Sequence, residues 1–282
     1  MAAISYLNGT WQAPDEAKVS VLDRGFMFGD GVYEVIPVYK GRPFAVERHL
    51  VRLRNSLREV GLPAPMTDDE WLALMREGVE RSGEAIASIY LQVTRGVAPT
   101  REHRYPEHPQ PTVLLMVSPS QLLERKQVDP LEMITLEDFR WARGHIKTTS
   151  LIAAGLLRNE AIAQGADDAI LLKDGVVTEA TASNVFIAKD GIVITPPKSN
   201  HILHGITRDV IVELARCNGV EVQERDFTSA ELATADEIMI TSSTHEIWPV
   251  GRLDGKTVGN GAAGVVWRQL DTLFQAFKAT AG

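Results

Sequence analysis

The sequence predicts an α+β protein with two domains. Apolar residues alternate as in strands in some segments, such as 33–39, and recur at helical spacing in others, such as 47–60. A chain of 282 residues with 44% hydrophobic residues can form one large core or two medium ones. The best candidate for the boundary between the two domains is the polar, proline-containing run S-P-S-Q-L-L-E-R-K-Q-V-D-P. We therefore predict an N-terminal domain at 1–118, a linker at 119–124 and a C-terminal domain at 125–282.

The N-terminal half combines short strands with two helices. Asn8-Gly9 predicts the turn of a strand pair, and D-R-G-F-M-F-G-D-G, from residue 23, predicts a glycine-rich loop. Thr67 and Glu70 form a capping-box pattern that opens the second helix. The predicted strands lie at 33–39, 43–46, 87–95 and 112–118, and the predicted helices at 47–60 and 68–81. The loop between the last two strands is rich in proline, arginine and histidine, and its length marks it as functional or disordered.

The C-terminal half is predicted to be richer in strands. We expect strands over 131–147, with Ser150 capping a helix that runs to Gln164, and a hairpin that turns at Asp174-Gly175. Three further helices are expected: one at 207–218, one that begins at a capping box at 228–231, and one at 263–277. Cys217 falls in the apolar pattern of the first of these helices and is expected to be buried.

Composition narrows the class of protein. The net charge of -8 argues against nucleic-acid binding, which needs a clustered positive field. No apolar run approaches the ~18 residues of a membrane span, no signal-peptide pattern is present, and a single cysteine suits a reducing compartment. We therefore expect a cytoplasmic protein. His201 and His204 are spaced i, i+3, but no further ligand completes a metal pattern, so no metal site is predicted.

Two ionisable residues stand at predicted strand ends. Lys147 closes an alternating run just before T-T-S, and Glu179 follows the strand after the Asp174-Gly175 turn. A lysine at the end of a strand can be partly desolvated, which lowers its pKa and makes it a Schiff-base nucleophile. An isolated lysine is more often a solvated surface group, so spacing alone does not settle its role.

Several segments, in order, resemble the fold-type IV pyridoxal-phosphate enzymes. They are D-R-G-F-M-F-G-D-G-V-Y-E-V at 23–35, E-R-H-L-V-R-L at 47–53, the lysine segment, T-E-A-T-A-S-N-V-F, G-I-T-R-D at 205–209 and T-S-S-T-H-E-I-W-P-V at 241–250. The resemblance covers essentially the whole chain. It implies a smaller α/β N-terminal domain, a larger β-rich pseudobarrel C-terminal domain, and a homodimer with the active site at the interface.

The resemblance also implies roles for individual residues. Lys147 would bind the cofactor covalently and move the proton, and Glu179 would face the pyridine nitrogen. Leu203 would pack on the ring face. The phosphate would be held by Arg52, by Ser243 and by the helix start at Gly205, Ile206 and Thr207.

The substrate prediction rests on Tyr33, Arg101 and His103. Within the family, the D-amino acid aminotransferases resemble this chain most, because they carry an Arg-x-His pair on the proline-rich loop and a tyrosine in the G-D-G-V-Y strand. Here R-E-H stands at 101–103, and Thr100 and Glu102 depart from the family pattern. We expect these three residues to bind the substrate carboxylate and the enzyme to use D-alanine or D-glutamate with 2-oxoglutarate.

Other functions stay open at this point. A branched-chain L-amino acid aminotransferase, an aminodeoxychorismate lyase or an (R)-amine transaminase could use the same scaffold. Besides the D-amino acid aminotransferase and these other enzymes, a third possible class of function is a binding or dimerisation module without catalysis. The physiological substrate pair is not identified by the sequence.

Overall fold

A computed structural model describes residues 3–120 and 128–280, and its contacts divide the chain into two units. In the described part, the N-terminal unit comprises residues 3–120 and 146–150, and the C-terminal unit comprises residues 128–145 and 151–280. Lys147 thus groups with the N-terminal unit. Residues 121–124 of the predicted linker lie outside the described residues, and the predicted domain limits stay predictions.

The N-terminal unit is built on a six-stranded antiparallel sheet with the order β2-β1-β6-β5-β3-β4. Its strands are β1 (Ile4–Leu7), β2 (Thr10–Gln12), β3 (Gly31–Tyr39), β4 (Arg42–Pro43), β5 (Ile86–Thr94) and β6 (Thr112–Pro119). Its helices are α1 (Arg24–Phe28), α2 (Val46–Glu59) and α3 (Asp68–Ser82). The predicted capping box is confirmed, since Thr67 and Glu70 exchange both bonds at the start of α3.

The core of this unit lies between the sheet and its helices. Alternate residues of β3, including Val32, Ile36 and Val38, are buried together with Leu50 and Leu53 of α2. This arrangement follows from the period of two in the strand and the i, i+3 spacing in the helix. Any polar residue in those same rows must therefore enter the core.

The C-terminal unit is built on a nine-stranded mixed sheet that curls into a half-barrel. Its strands are β7 (Leu131–Glu137), β8 (Asp168–Lys173), β9 (Val176–Ala180), β10 (Asn184–Lys189), β11 (Ile192–Thr195), β12 (Val222–Glu224), β13 (Glu237–Ser242), β14 (Glu246–Leu253) and β15 (Lys256–Thr257). Its helices are α4 (Ile152–Ala163), α5 (Ile206–Cys217), α6 (Ser229–Ala233) and α7 (Val265–Thr280). The capping box of α6 is formed as predicted.

Two segments differ from the prediction in ways that affect the site. The glycine-rich stretch contains the short helix α1, because Asp23 caps it through Gly25 N and Gly29 ends it at φ 64°. The predicted strand over 131–147 ends at Glu137. Beyond it the Asp138 carboxylate accepts from the backbone and the side chain of Arg140, which turns the chain away from the sheet.

Two single-residue predictions are wrong. Ser150 does not cap α4, since its hydroxyl donates to Gly29 O at 2.9 Å. Cys217 is exposed. The buried face of α5 passes through Ile211 and Ala215, and the next position of that row lies at 218–219, so residue 217 points away from it.

Residues 3–120 and 128–280 contain no helix that could span a membrane and no cluster of metal ligands. No helix there is long and apolar enough to cross a membrane. No three His, Cys, Asp or Glu side chains in that part of the chain converge as metal ligands do.

Candidate active site

Lys147 lies in an irregular segment whose backbone is tied to the N-terminal unit on both sides. Its N–H donates to Ser56 Oγ at 3.2 Å, and its carbonyl accepts from Tyr33 N at 3.0 Å. The following Thr148 forms an isolated bridge with Val32. The half-buried ammonium lies 4.1 Å from the centre of the Tyr33 ring. The lysine predicted at a strand end is therefore held by a strand of the other half of the sequence.

A buried charged cluster lies on the face of β3 opposite Tyr33. Glu34 is 1% exposed and receives Arg52 Nε at 2.8 Å and Arg52 Nη2 at 2.7 Å, a two-bond pairing. His49 Nδ1 lies 2.8 Å from the same carboxylate and must be the donor, since an ionised carboxylate only accepts. Arg52 and His49 lie on the buried face of α2. The predicted phosphate-binding arginine is thus oriented by a carboxylate of the adjacent strand.

The pKa values in this cluster follow from burial and charge. Burial alone would raise the pKa of Glu34, but the Arg52 guanidinium and the bonds from Arg52 and His49 lower it to about 2. Burial lowers the pKa of His49, which keeps that imidazole neutral at pH 7. The cluster therefore carries one ion pair and one neutral histidine.

The predicted carboxylate-binding residues fall into two sets of contacts. Tyr33 packs against Tyr90, with ring centres 5.7 Å apart, and against Lys147. Arg101 and His103 are exposed, and both contact Phe28: the guanidinium carbon of Arg101 lies 5.2 Å from the ring centre, and the two rings of His103 and Phe28 are 5.6 Å apart. Arg101 and His103 are thus brought side by side, whereas Tyr33 is placed next to the lysine.

Glu179 lies inside β9 and is 5% exposed. Three donors reach its carboxylate: Arg140 Nη1 at 2.8 Å, Leu203 N at 2.9 Å and Asn184 Nδ2 at 3.1 Å. Burial nevertheless raises the pKa of Glu179 to about 7, against the lowering by Arg140 and the Leu203 N–H. The charged carboxylate at this position is incompletely compensated, so an added cation or N–H donor would stabilise it.

Arg140 divides its guanidinium between two acids of the C-terminal unit. It donates to Asp138 through Nε at 2.9 Å and Nη2 at 2.8 Å, and to Glu179 through Nη1 only. Thr178 Oγ1 adds a bond to Asp138 at 2.7 Å. Burial alone would raise the pKa of Asp138, but Arg140 and Thr178 lower it. Asp138 therefore receives two of the three hydrogen bonds that the Arg140 guanidinium donates to these acids.

Sequence reasoning missed Arg140, Asp138 and Glu34. The Asp138-x-Arg140 spacing was a usable signal, since a carboxylate commonly bonds the backbone two residues on. Glu34 could also have been found, because it occupies the same alternating row as Val32 and Ile36 and must point into the core.

The predicted phosphate-binding helix start lies beside Glu179. Gly205 is the N-cap of α5 and supplies no side-chain cap, so the first N–H groups of the helix are not satisfied by a capping side chain. A Cβ on Gly205 would lie 2.0 Å from Asn184 Oδ1, so any other residue here would force the Asn184 amide to shift. Asn184 also donates to Leu203 O at 2.8 Å, which links Glu179, Leu203 and Gly205 through one amide.

Hydroxyl side chains lie at the end of β13, which pairs with β10, and in the turn that follows it. Thr241 pairs in register with Asn184 and is 2% exposed, and its Oγ1 has no hydrogen-bond partner among residues 3–120 and 128–280. The Ser242 hydroxyl bonds His245 N and Thr244 Oγ1, so two of the four hydroxyls at 241–244 make contacts within the turn. The predicted phosphate ligand Ser243 is half-buried within that turn.

These donors fit pyridoxal 5′-phosphate. A buried carboxylate with its pKa raised to about 7 suits a ring N–H, and a helix N-terminus without a side-chain cap suits a phosphate. The orphaned Thr241 hydroxyl is a further donor of the C-terminal unit. The half-buried Lys147 supplies an amine for an aldehyde.

Comparison with known proteins agrees with this chemistry. The family model for amino-transferase class IV matches residues 31–253. A D-alanine aminotransferase of Bacillus licheniformis is 39% identical over 268 residues, which cover 95% of this chain and 94% of the relative. A D-alanine aminotransferase of Listeria monocytogenes serotype 1/2a (strain 10403S) is 40% identical over 262 residues, covering 92% and 91%.

Solved structures of the same fold include two branched-chain aminotransferases. The one from Escherichia coli has a TM-score of 0.90 and 26% identity, covering 100% of this chain and 95% of its own. The one from Thermoproteus uzoniensis has a TM-score of 0.87 and 27% identity, covering 96% and 93%. The predicted fold class, the enzyme class and the cofactor are confirmed at the level of the family. The chain belongs to the class IV aminotransferases, which are pyridoxal 5′-phosphate-dependent enzymes.

Proposed function

We propose that this enzyme transfers the amino group of a D-amino acid, of the D-alanine or D-glutamate type, to a 2-oxo acid such as 2-oxoglutarate. The observation that carries the proposal is the Arg101 and His103 pair, placed together on Phe28. Such a pair can bind an α-carboxylate by charge-assisted hydrogen bonds. The D-alanine aminotransferase relatives, at 37–40% identity over nearly the whole chain, support the same substrate class.

The cofactor would accept electrons from the substrate Cα when bound, and the protein's residues would direct this chemistry. Unprotonated Lys147 Nζ would be the nucleophile toward the aldehyde, and afterwards it would take the proton from the substrate Cα and deliver it to the cofactor carbon C4′. Glu179 would face the ring nitrogen and hold its proton in place. Leu203 would pack on the ring face. The amino and keto substrates would use the same residues in turn, which gives ping-pong kinetics.

Anchoring of the phosphate is assigned to Arg52, Ser243 and the start of α5. Gly205, Ile206 and Thr207 would donate through the helix N-terminus, where the dipole also favours an anion. Glu34 would keep the Arg52 guanidinium at a fixed orientation. Tyr33, beside Lys147, would complete the carboxylate site together with Arg101 and His103.

We further propose a cytoplasmic homodimer in which the loop of each subunit supplies Arg101 and His103 to the partner's site. Each unit presents large apolar side chains to solvent, which a subunit interface would cover. In the N-terminal unit these include Val21 at 70% exposure and Phe26 at 70%, and in the C-terminal unit Ile152 at 80%. Sedimentation or light scattering should give twice the mass of the chain.

The proposal is tested by substrate half-reactions and by labelling. D-alanine and D-glutamate should discharge the visible absorbance of the bound cofactor, and L-leucine and L-valine should do so far more slowly. Borohydride should fix the cofactor on the peptide that contains Lys147, and Lys147→Ala should be folded and inactive. Lys147→Arg should also be inactive, since a guanidinium with a pKa above ~12 stays protonated.

Preference for L-leucine would contradict the D-amino acid assignment and leave the cofactor chemistry intact. Turnover of the wild-type kind by Lys147→Ala would contradict the assignment of Lys147.

A further inference from the structure

We propose that Arg24 is a positioning residue for the substrate carboxylate, because its guanidinium clamps the backbone of the loop that carries Arg101 and His103. This inference rests on the proposed function and extends it to a residue outside the binding pair. Arg24 begins α1, in the segment for which glycine content alone predicted a loop. It is 3% exposed although it is a charged residue.

The clamp consists of hydrogen bonds to three consecutive carbonyl groups. Arg24 Nη1 donates to Glu102 O at 2.5 Å and approaches Arg104 O at 3.4 Å, and Nη2 approaches His103 O at 3.4 Å. Carbonyls that converge on one planar cation fix the local direction of the backbone. The side chains at 101–104 are exposed, so the main chain of the loop is held while its side chains stay accessible.

Arg24 is itself fixed by a half-buried acid. Its Nε lies 2.8 Å from Asp30 Oδ2. Arg95 also binds Asp30, through Nε at 2.8 Å and Nη2 at 3.0 Å, and its guanidinium stacks 3.6 Å from the Tyr105 ring centre. Asp30 would therefore keep an arginine partner if Arg24 were replaced. The fold of the unit should survive the substitution.

The same helix provides a platform for the two side chains. Phe28 lies one turn after Arg24, and its ring is in contact with Arg101 and with His103. Arg24 also lies 4.8 Å from that ring centre. The side chain of Glu102, between the two cationic candidates, accepts from Thr100 Oγ1 at 3.0 Å. Helix α1 thus sets both the backbone and the side-chain spacing of the pair, which is the preorganisation that carboxylate binding requires.

The experiment combines kinetics with limited proteolysis of the cofactor-loaded enzyme. Arg24→Met removes the donors and keeps the apolar stem, Arg24→Lys keeps a charge for Asp30, and Phe28→Leu removes the platform. Arg81→Met is the matched control, because Arg81 pairs with Glu77 and stacks on Trp11 in the same unit. The readouts are KM and kcat for D-alanine, cofactor content, and the rate of tryptic cleavage after Arg101 and Arg104.

Arg24→Met should raise the KM for D-alanine by roughly tenfold with a smaller change in kcat, since the lost positioning affects carboxylate binding. Tryptic cleavage after Arg101 and Arg104 should accelerate by roughly tenfold, because loss of bonds from a charged donor raises the open population of the loop. Phe28→Leu should raise KM with less change in cleavage. Arg24→Lys should lie between wild type and Arg24→Met, and Arg81→Met should match wild type.

Unchanged cleavage in Arg24→Met would overturn the clamp, and faster cleavage with unchanged KM would overturn its role in positioning. The proteolysis requires no substrate, so it tests the clamp even if the enzyme does not act on D-amino acids. A wild-type enzyme without D-alanine activity would refute the proposed function instead.

Discussion

Glu34 and Glu179 are two buried glutamates that each contact an arginine, yet their pKa values differ widely. Glu34 has a pKa of about 2, and Glu179 has a pKa of about 7. Glu34 receives two bonds from Arg52, whereas Glu179 receives one from Arg140, which gives two bonds to Asp138. Burial is nearly the same, at 1% and 5% exposure, and raises the pKa of both groups; Arg52 and the bond from His49 outweigh it at Glu34, whereas the single bond from Arg140 and the Leu203 N–H do not at Glu179.

Under the proposed function, Glu34 is a structural carboxylate and Glu179 is the carboxylate that would receive a ligand. Glu34 is fully compensated within the N-terminal unit and serves to orient Arg52. Glu179 is left short of positive charge, because Asp138 competes for Arg140 and adds its own negative charge. A ring N–H would supply the missing partner. We therefore expect the same Glu→Gln substitution to have opposite effects on stability and on catalysis at the two positions.

Glu34→Gln should lower the free energy of unfolding by about 3–5 kcal/mol, because it removes the buried carboxylate that receives two bonds from Arg52. Urea unfolding of the cofactor-free protein measures this change. Glu77→Gln, at an exposed pair with Arg81, is the control and should change stability by less than about 1 kcal/mol. An equal small change in both variants would show that the Glu34 pair is not a stabilising one.

The pH dependence of stability should differ in sign for the two glutamates. The pKa of Glu34 is lowered on folding from 4.5 to about 2, so its contribution of roughly 3 kcal/mol is present above pH 4.5 and is lost as pH falls toward 2. The pKa of Glu179 is raised on folding to about 7, so the cofactor-free protein should lose stability as pH rises from 4.5 to 7. Unfolding curves of wild type and Glu179→Gln over this range measure the second effect. Parallel curves would contradict it.

Glu179→Gln should reduce kcat by ~10²-fold or more, since a neutral amide cannot stabilise a protonated ring nitrogen. Unlike Glu34→Gln, it should not destabilise the cofactor-free protein at pH 7, because it removes a carboxyl whose pKa is raised on folding and Arg140 keeps Asp138 as a partner. Steady-state kinetics with saturating cofactor give the rate. Nearly full activity would exclude Glu179 as the partner of the ring nitrogen.

Asp138→Asn should shift Arg140 toward Glu179 and lower the pKa of that glutamate. The effect on kcat should be smaller than that of Glu179→Gln, because Glu179 keeps its carboxylate and its bond from Arg140. Asp236→Asn, at an exposed pair with Lys189, is the control. A variant in which the titration of Glu179 stays unchanged would show that Asp138 does not set its charge.

Much of the fold was accessible from sequence because it depends on local patterns. The Thr67 and Thr228 capping boxes and the Asp174-Gly175 turn, with φ of 51° and 78°, formed where predicted. The segment 138–147 was mistaken for strand, since its path is set by bonds that the Asp138 carboxylate accepts from Arg140 rather than by alternation.

The motifs of the candidate site could be predicted from the sequence, but the pairings between its charged side chains could not. Lys147 and Glu179 stand in segments that identify the family, whereas the role of Arg140 depends on a contact across 39 residues of sequence. No local period encodes how one arginine divides its donors between two acids. The clamp of Arg24 on residues 102–104, about 80 positions away, was unpredictable for the same reason.

The most direct test is a pH titration of the two carboxyl groups by carbon-13 NMR of protein labelled at the glutamate carboxyl carbon. Glu34→Gln and Glu179→Gln assign the two signals. In cofactor-free protein, the Glu179 signal should titrate near pH 7 while the Glu34 signal stays in the ionised position down to about pH 3. With cofactor bound, the Glu179 signal should stay ionised from pH 5 to 8. A Glu179 titration at or below the usual 4.5 in cofactor-free protein would contradict the account.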